Sequence, residues 1–470
     1  MPIYLQRAGM LCFLVFFTGF AAASQRPATN DNKIRWNESD VQSEIIAPFL
    51  KLLTMTDNKV VDSAILKINK NWKEAHEIML LETIYYIQHP KIANKLVHLL
   101  ERKTEQKFGN NYHQWLQYIW NKKATYSDSY FEFKAKVHES MDPKFNLYFS
   151  ERQDQATIRL DEVQWGGVVQ DGIPPLRNPK MISAKEATYL KKSDIIFGIE
   201  VNGDARAYPK RILAWHEMFV DTVGEIPVAG VYCTLCGTVI LYKTEHENIN
   251  YELGTSGFLY RSNKLMYDKK TQSLWSTMEG TPVIGPLVGK GIELEYSSVV
   301  TTTWGEWKKR HPETAVLSLN TGYRRNYDEG VAYADYFATD DLMFNVPKTD
   351  KSLKNKDEIL AIRLPDETDE NLAISSRFLK KNPVYQSKIG TVEFVVFTDK
   401  SQAHRVYKSN SIRFKDYDAS STAIDDTGRI WSLSEEKLET ANGKELERIP
   451  THNAFWFGYK AAFPDVKLVK

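Results

Sequence analysis

Two cysteines carry the strongest chemical signal in this sequence. The segment "VYCTLCGT", residues 231–238, sets Cys233 and Cys236 around a short turn at the end of a β-like run and follows them with Gly237. That spacing lets two sulfurs converge on one metal ion, with backbone N–H groups of the turn directed at them and glycine permitting the tight approach. No second C-x-x-C exists, so a closed four-cysteine site within one chain is excluded, and any further ligand must be His or carboxylate. His216, upstream in "AWHEMFVD", is the histidine a hairpin could bring alongside. Cys233, Cys236 and His216 around one transition metal, copper or zinc, would leave a coordination position open, as in catalytic or exchangeable sites. Met218 or Met266 could add a soft thioether, and His452 a fourth ligand. The same cysteines also suit a redox-active thiol pair, an inert disulfide or free buried thiols.

Further polar residues gather in the same region. "NGDARAYP" supplies Asp204 and Arg206, "DGIPPL" supplies Asp171, and "SGFLYRSNKLMYD" supplies Ser256, Tyr260, Arg261, Asn263 and Asp268. Asp204 and Arg206, two apart on a strand, share a face and form a structural ion pair by default. They stand with Tyr260 and Arg261 as the ligand-binding candidates on the open side of the site. Asp268 suits a turn-stabilising role better than catalysis.

The elements that must position these groups fall into distinct textures. Arg7, the apolar run Met10–Phe20 and Ala21-Ala22-Ala23 read as an export signal over residues 1–23, which places the mature chain in the periplasm or outside the cell. Residues 24–40 read as a polar linker. Over 41–145 apolar residues recur at three and four, in short helices with Pro90 between two of them, like a small HEAT-type stack. From 150 onward, Val/Ile/Tyr/Phe runs cut by Gly, Asn, Asp and Pro predict mainly β structure, with "VNGD" a tight hairpin turn. The fold class is therefore α+β.

The β part matches itself. "IIFGIEV" parallels "EILAIRL", "MYDKKTQSLW" parallels "AIDDTGRIW", and "WGEWKKRHPETAVLSL" parallels "WFGYKAAFPDVKLVK". These blocks predict a tandem duplication, with a first β-rich repeat over 150–350 and a second, degenerate one over 351–470. With Gly224 superposed on Gly390, Cys233 and Cys236 face Asp399 and Gln402, so only one repeat keeps the cysteines.

Composition removes other classes. Of 470 residues, 61 are Lys or Arg and 60 Asp or Glu, without a basic block, which leaves nucleic acid unsupported as a partner. After the signal, no segment is long and apolar enough to span a bilayer. A Gly-rich phosphate loop, G-x-S-x-G, H-E-x-x-H and C-x-x-C-H are all absent. The partner is left as a small molecule or protein, and the sequence does not establish an enzyme. Three functions stay open: metal-dependent redox or metal handling, thiol-disulfide exchange, and a binding scaffold with a structural disulfide.

The blocks "WGGVVQDGIPPLRNPKMISAKEATYL", "DIIFGIEVNGDARAYPKRILAWHEM", "YCTLCGT", "SGFLYRSNKLMYDKKTQSLWS" and "TTWGEWKKRHPETAVLS" resemble, in order, those of the bacterial domain-of-unknown-function family 3179. The resemblance implies an exported bacterial protein whose signature falls on Arg206 to Pro209, Trp215 to Glu217 and Tyr232 to Gly237. It implies no reaction. Thr234 stands where relatives commonly have Pro, and Thr277 where they commonly have Gln; neither change removes a candidate ligand.

Overall fold

A computed structural model of the chain describes residues 44–124, 128–149 and 155–470. The expected signal, 1–23, and linker, 24–40, lie outside the described residues. No helix among them is long and apolar enough to cross a membrane.

The predicted helices are Ala47–Thr54, Asn58–Lys70, His76–Tyr86, Pro90–Thr104, Tyr112–Trp120, Asp128–Glu139 and the short Phe145–Tyr148. Asp57 caps the second by accepting from the amides of Lys59 and Val60. Pro90 opens its helix, at the position where a missing N–H costs nothing. The buried faces, with Leu80, Leu96, Leu99 and Phe133, form one core with a five-stranded sheet of the β part. Phe258 of that sheet packs edge-on against Phe145 at 4.8 Å and Phe149 at 5.1 Å. Helices and sheet therefore bury each other's apolar faces.

The β part contains two sheets built alike. In the first, Val300–Thr303 pairs antiparallel with Ile195–Val201, which pairs antiparallel with Asp204–Pro209, which runs parallel to Ala315–Leu317. In the second, Thr451–Phe455, Glu358–Arg363, Asn371–Ser375 and Lys467–Val469 repeat that order and those senses. A helix follows each second strand, Lys210–His216 or Ser376–Lys381. A three-stranded meander comes next: Met218–Val223, Ile226–Cys233 and Thr238–Lys243 in one unit, Val384–Ile389, Val392–Thr398 and His404–Lys408 in the other. The turn at Asn202-Gly203 has both φ values positive, as its sequence predicts.

Asp268 performs the turn role expected of it. It accepts from the amides of Lys270 and Thr271 and from the Thr271 hydroxyl, and lies 3.4 Å from Trp275 Nε1. Asp425 makes the matching set, with Thr427, Arg429 and Trp431 as donors. Replacing Asp268 by Ala leaves those donors unpaired beside a buried tryptophan and is expected to cost about 1–3 kcal/mol in a urea unfolding titration.

Several histidines are held neutral by burial. His138 is pushed down to about 3, His404 to about 4 and His452 to about 3, against an ordinary 6.5. Between pH 6.5 and about 4 the unfolded chain binds more protons than the folded one, so stability rises with pH. Full stability is expected above pH 6.5, with a progressive fall in the thermal midpoint as the pH is lowered toward 4.

Candidate functional site

Strand Ile226–Cys233 lies between two antiparallel neighbours and ends at Cys233, which stands opposite Thr238. The four-residue turn closes with Cys236 N–H donating to the Cys233 carbonyl at 3.2 Å. Gly237 has φ +60, and a Cβ there would stand 2.8 Å from the Phe455 ring, which explains glycine. Phe455 N–H in turn donates to the Cys236 carbonyl at 2.7 Å. Cys236 also packs against helix Trp456–Ala462, where Gly458 is the point of closest approach.

Both cysteines are free thiols and buried, but their surroundings differ. Cys236 Sγ lies 2.9 Å from the Ser262 carbonyl oxygen, an acceptor that keeps the proton on sulfur. That carbonyl is presented by a turn in which Arg261 and Ser262 both adopt positive φ. Burial, with the neighbouring Cys233 sulfur, pushes the Cys236 thiol well above its ordinary range. Burial and the Glu217 carboxylate act to raise Cys233, but the neighbouring Cys236 thiol with the Lys264 ammonium and backbone N–H outweigh them, so Cys233 falls below its ordinary value.

Lys264 is the residue that the sequence did not reveal. It sits in strand Asn263–Asp268, buried at every position, with its Nζ 2.6 Å from Glu217 Oε2. The ammonium also reaches the carbonyls of Glu217 at 3.3 Å and Tyr232 at 3.4 Å. Glu217 follows helix Lys210–His216 in the left-handed conformation, φ +56, and accepts from Tyr333 Oη at 3.0 Å. Tyr333 belongs to an irregular strap over residues 319–350 that crosses the site. From the same strap Tyr336 donates to the Leu235 carbonyl at 2.7 Å. A cleft of about 440 Å³, its mouth included, ends on this group, with Leu235, Leu259, Phe344 and Tyr333 around Glu217 and Lys264.

The side chains of the other expected site residues are engaged by partners other than the cysteines. His216 points away: Nδ1 is 2.9 Å from the Pro174 carbonyl, and Nε2 is 2.6 Å from Tyr327 Oη. Burial pushes it down to about 4, so it is neutral at pH 7. Among the described residues no group of three His, Cys, Asp or Glu is arranged to hold a metal ion. The Cys233–Cys236–His216 ligand set for copper or zinc is thus not assembled, because both imidazole nitrogens are already engaged. Asp204 and Arg206 form the structural ion pair at 2.8 Å, joined by Asp221 at 2.7 Å. Arg261 is engaged by Glu162 at 2.5 Å and by the Ala461 carbonyl at 3.1 Å. Neither these residues nor Tyr260 line the cleft. Met218 and Met266 pack in a core cluster different from that of the cysteines.

The β-rich units and the thiol turn they position define one domain class, and the comparison of sequences agrees. The chain belongs to the family described as a protein of unknown function, DUF3179, whose profile matches residues 170–466. The match runs through both β units and leaves the N-terminal helices outside. No curated protein and no solved structure matches the chain.

Replacing Lys264 by Met removes a cation that lowers Cys233 and strands a buried carboxylate. A higher thiol pKa is expected in a thiolate absorbance titration, with a loss of about 3–5 kcal/mol in stability. Adding Glu217→Gln should recover much of that stability.

Proposed function

We propose that the chain is a dithiol redox protein acting on low-molecular-weight disulfides, with Cys233 as attacking thiolate and Cys236 as resolving thiol. The observation that carries this reading is the unequal pair: two free thiols at one turn, Cys233 lowered by the adjacent Cys236 thiol and by Lys264, Cys236 held protonated against the Ser262 carbonyl. Cys233 Sγ bonds to one substrate sulfur as the substrate S–S bond breaks. Cys236 Sγ then bonds to Cys233 Sγ, and the second substrate thiol leaves. The pair loses two electrons; the substrate gains them with two protons, one from Cys236 and one from solvent. An external dithiol resets the pair. Burial of both sulfurs restricts the substrate to small molecules; the Glu217–Lys264 cleft ends on Leu235, between the two cysteines in sequence, without either sulfur in its lining.

Two further inferences accompany this one. The matched strand order of the two sheets supports a tandem duplication in which the second unit has lost the thiols; at the corresponding turn Asp399 binds Arg405 at 2.8 Å instead. Copper(I) is the second reading for the site, since two thiolates satisfy its linear coordination and Lys264 offsets the resulting charge. The exported location expected from residues 1–23 belongs to both readings.

The test uses the chain without residues 1–23, prepared without oxygen and incubated with oxidised glutathione. Titratable thiols should fall from two to none in the native protein, Cys236→Ser should trap a mixed glutathione disulfide visible by intact mass, and Cys233→Ser should be inert. Thiols that react only after unfolding would refute exchange. Elemental analysis showing about one copper per chain would favour the second reading.

A further inference from the structure

A second cleft, of about 770 Å³ with its mouth included, lies between the two β units. One wall comes from the Ile195–Val201 strand and its turn, with Glu200 and Asn202; the other comes from the second unit, with Glu436 and Arg448. Arg448 occupies strand Glu445–Ile449 opposite Tyr407 and is only 7% exposed. Its guanidinium lies 5.1 Å from the centre of the Tyr407 ring. Of its donors, Nη1 gives a hydrogen bond to the Val406 carbonyl at 3.0 Å, whereas Nε and Nη2 are buried without a partner.

Those two nitrogens form one edge of the guanidinium, the edge that takes a carboxylate through two parallel hydrogen bonds. In two other arginines of this protein the same edge is filled. Arg206 gives Nε and Nη2 to Asp204, and Arg405 gives Nε and Nη2 to Glu435 at 2.9 and 2.7 Å. Glu435 cannot serve Arg448 as well: it is bound by Arg405 and has Arg310 Nε at 3.5 Å and His311 Nε2 at 3.6 Å. A buried guanidinium remains charged and is costly to leave unpaired.

We propose that this cleft binds a small amino- or hydroxy-carboxylate, its carboxylate held on the Nε/Nη2 edge of Arg448. The opposite rim selects the rest of the ligand. Glu200 and Glu436 offer acceptors to an ammonium or hydroxyl group, and the surplus of carboxylates around the cleft disfavours a phosphate dianion. The site is independent of the thiols, neither of which lines it.

Isothermal titration of the chain without residues 1–23 against glycine, glycolate, acetate and inorganic phosphate tests the assignment. Glycine or glycolate should bind saturably, acetate at least tenfold more weakly and phosphate more weakly still. Arg448→Lys should lower affinity at least tenfold, because a lone ammonium cannot present a paired edge. Ser297→Trp, which adds bulk to the cleft lining and leaves the Arg448 residue itself unchanged, should do the same and carries the test if the Arg448 variant does not fold. Phosphate binding as tightly as glycine, no saturable carboxylate binding, or unchanged affinity in Ser297→Trp would each overturn the proposal.

Discussion

The region around the thiols depends on one buried ion pair, Lys264 with Glu217. Two charges removed from water are tolerated only when each is met closely and the remaining donors and acceptors are satisfied. Here the ammonium spends its other protons on the carbonyls of Glu217 and Tyr232, and the carboxylate takes a third bond from Tyr333. A helix terminus, a central strand, the strand that ends in Cys233 and the strap over the site are thereby fixed by one contact. The pair acts on Cys233 in opposite senses, Glu217 raising it while the Lys264 ammonium and backbone amide lower it, and the lowering by the adjacent Cys236 thiol tips the balance.

Much of the fold was legible because it rests on local rules. The Asn202-Gly203 turn, the helical periodicity before residue 145 and the C-x-x-C turn are set by neighbouring residues. The site was less legible because its decisive groups break those rules. Lys264 lies in a strand with no exposed position, where alternation would have put a lysine in water. Glu217 adopts a left-handed backbone that no glycine or asparagine announced, and its carboxylate, rather than the preceding His216, meets Lys264. Tyr333 and Tyr336 come from a segment whose one helix is the single turn Ala334–Phe337, too short for a periodic signal, so only tertiary packing reveals what they cover.

The family match adds a second physical point. Its span from 170 to 466 treats the two β units as one body, and the structure shows why. Phe455 and helix Trp456–Ala462 of the second unit complete the surroundings of Cys236 in the first. The second unit lacks thiols, yet the first cannot enclose its own without it. At its matching turn the second unit places Asp399, Arg405 and Glu435, buried ionic contacts that shape the boundary between the units.

The closing role of Gly458 also bears on the order of events at the ribosome. Gly458 follows Cys236 by more than two hundred residues. At ordinary elongation rates that separates the two by roughly 10–40 s. Throughout that interval the thiols exist on a nascent chain without their lid, open to any oxidant or wrong partner, and they become sheltered only when the last helix docks. Shelter of Cys236 is therefore a record that the chain was completed, and an early stop would release a fragment with its most reactive atoms bare.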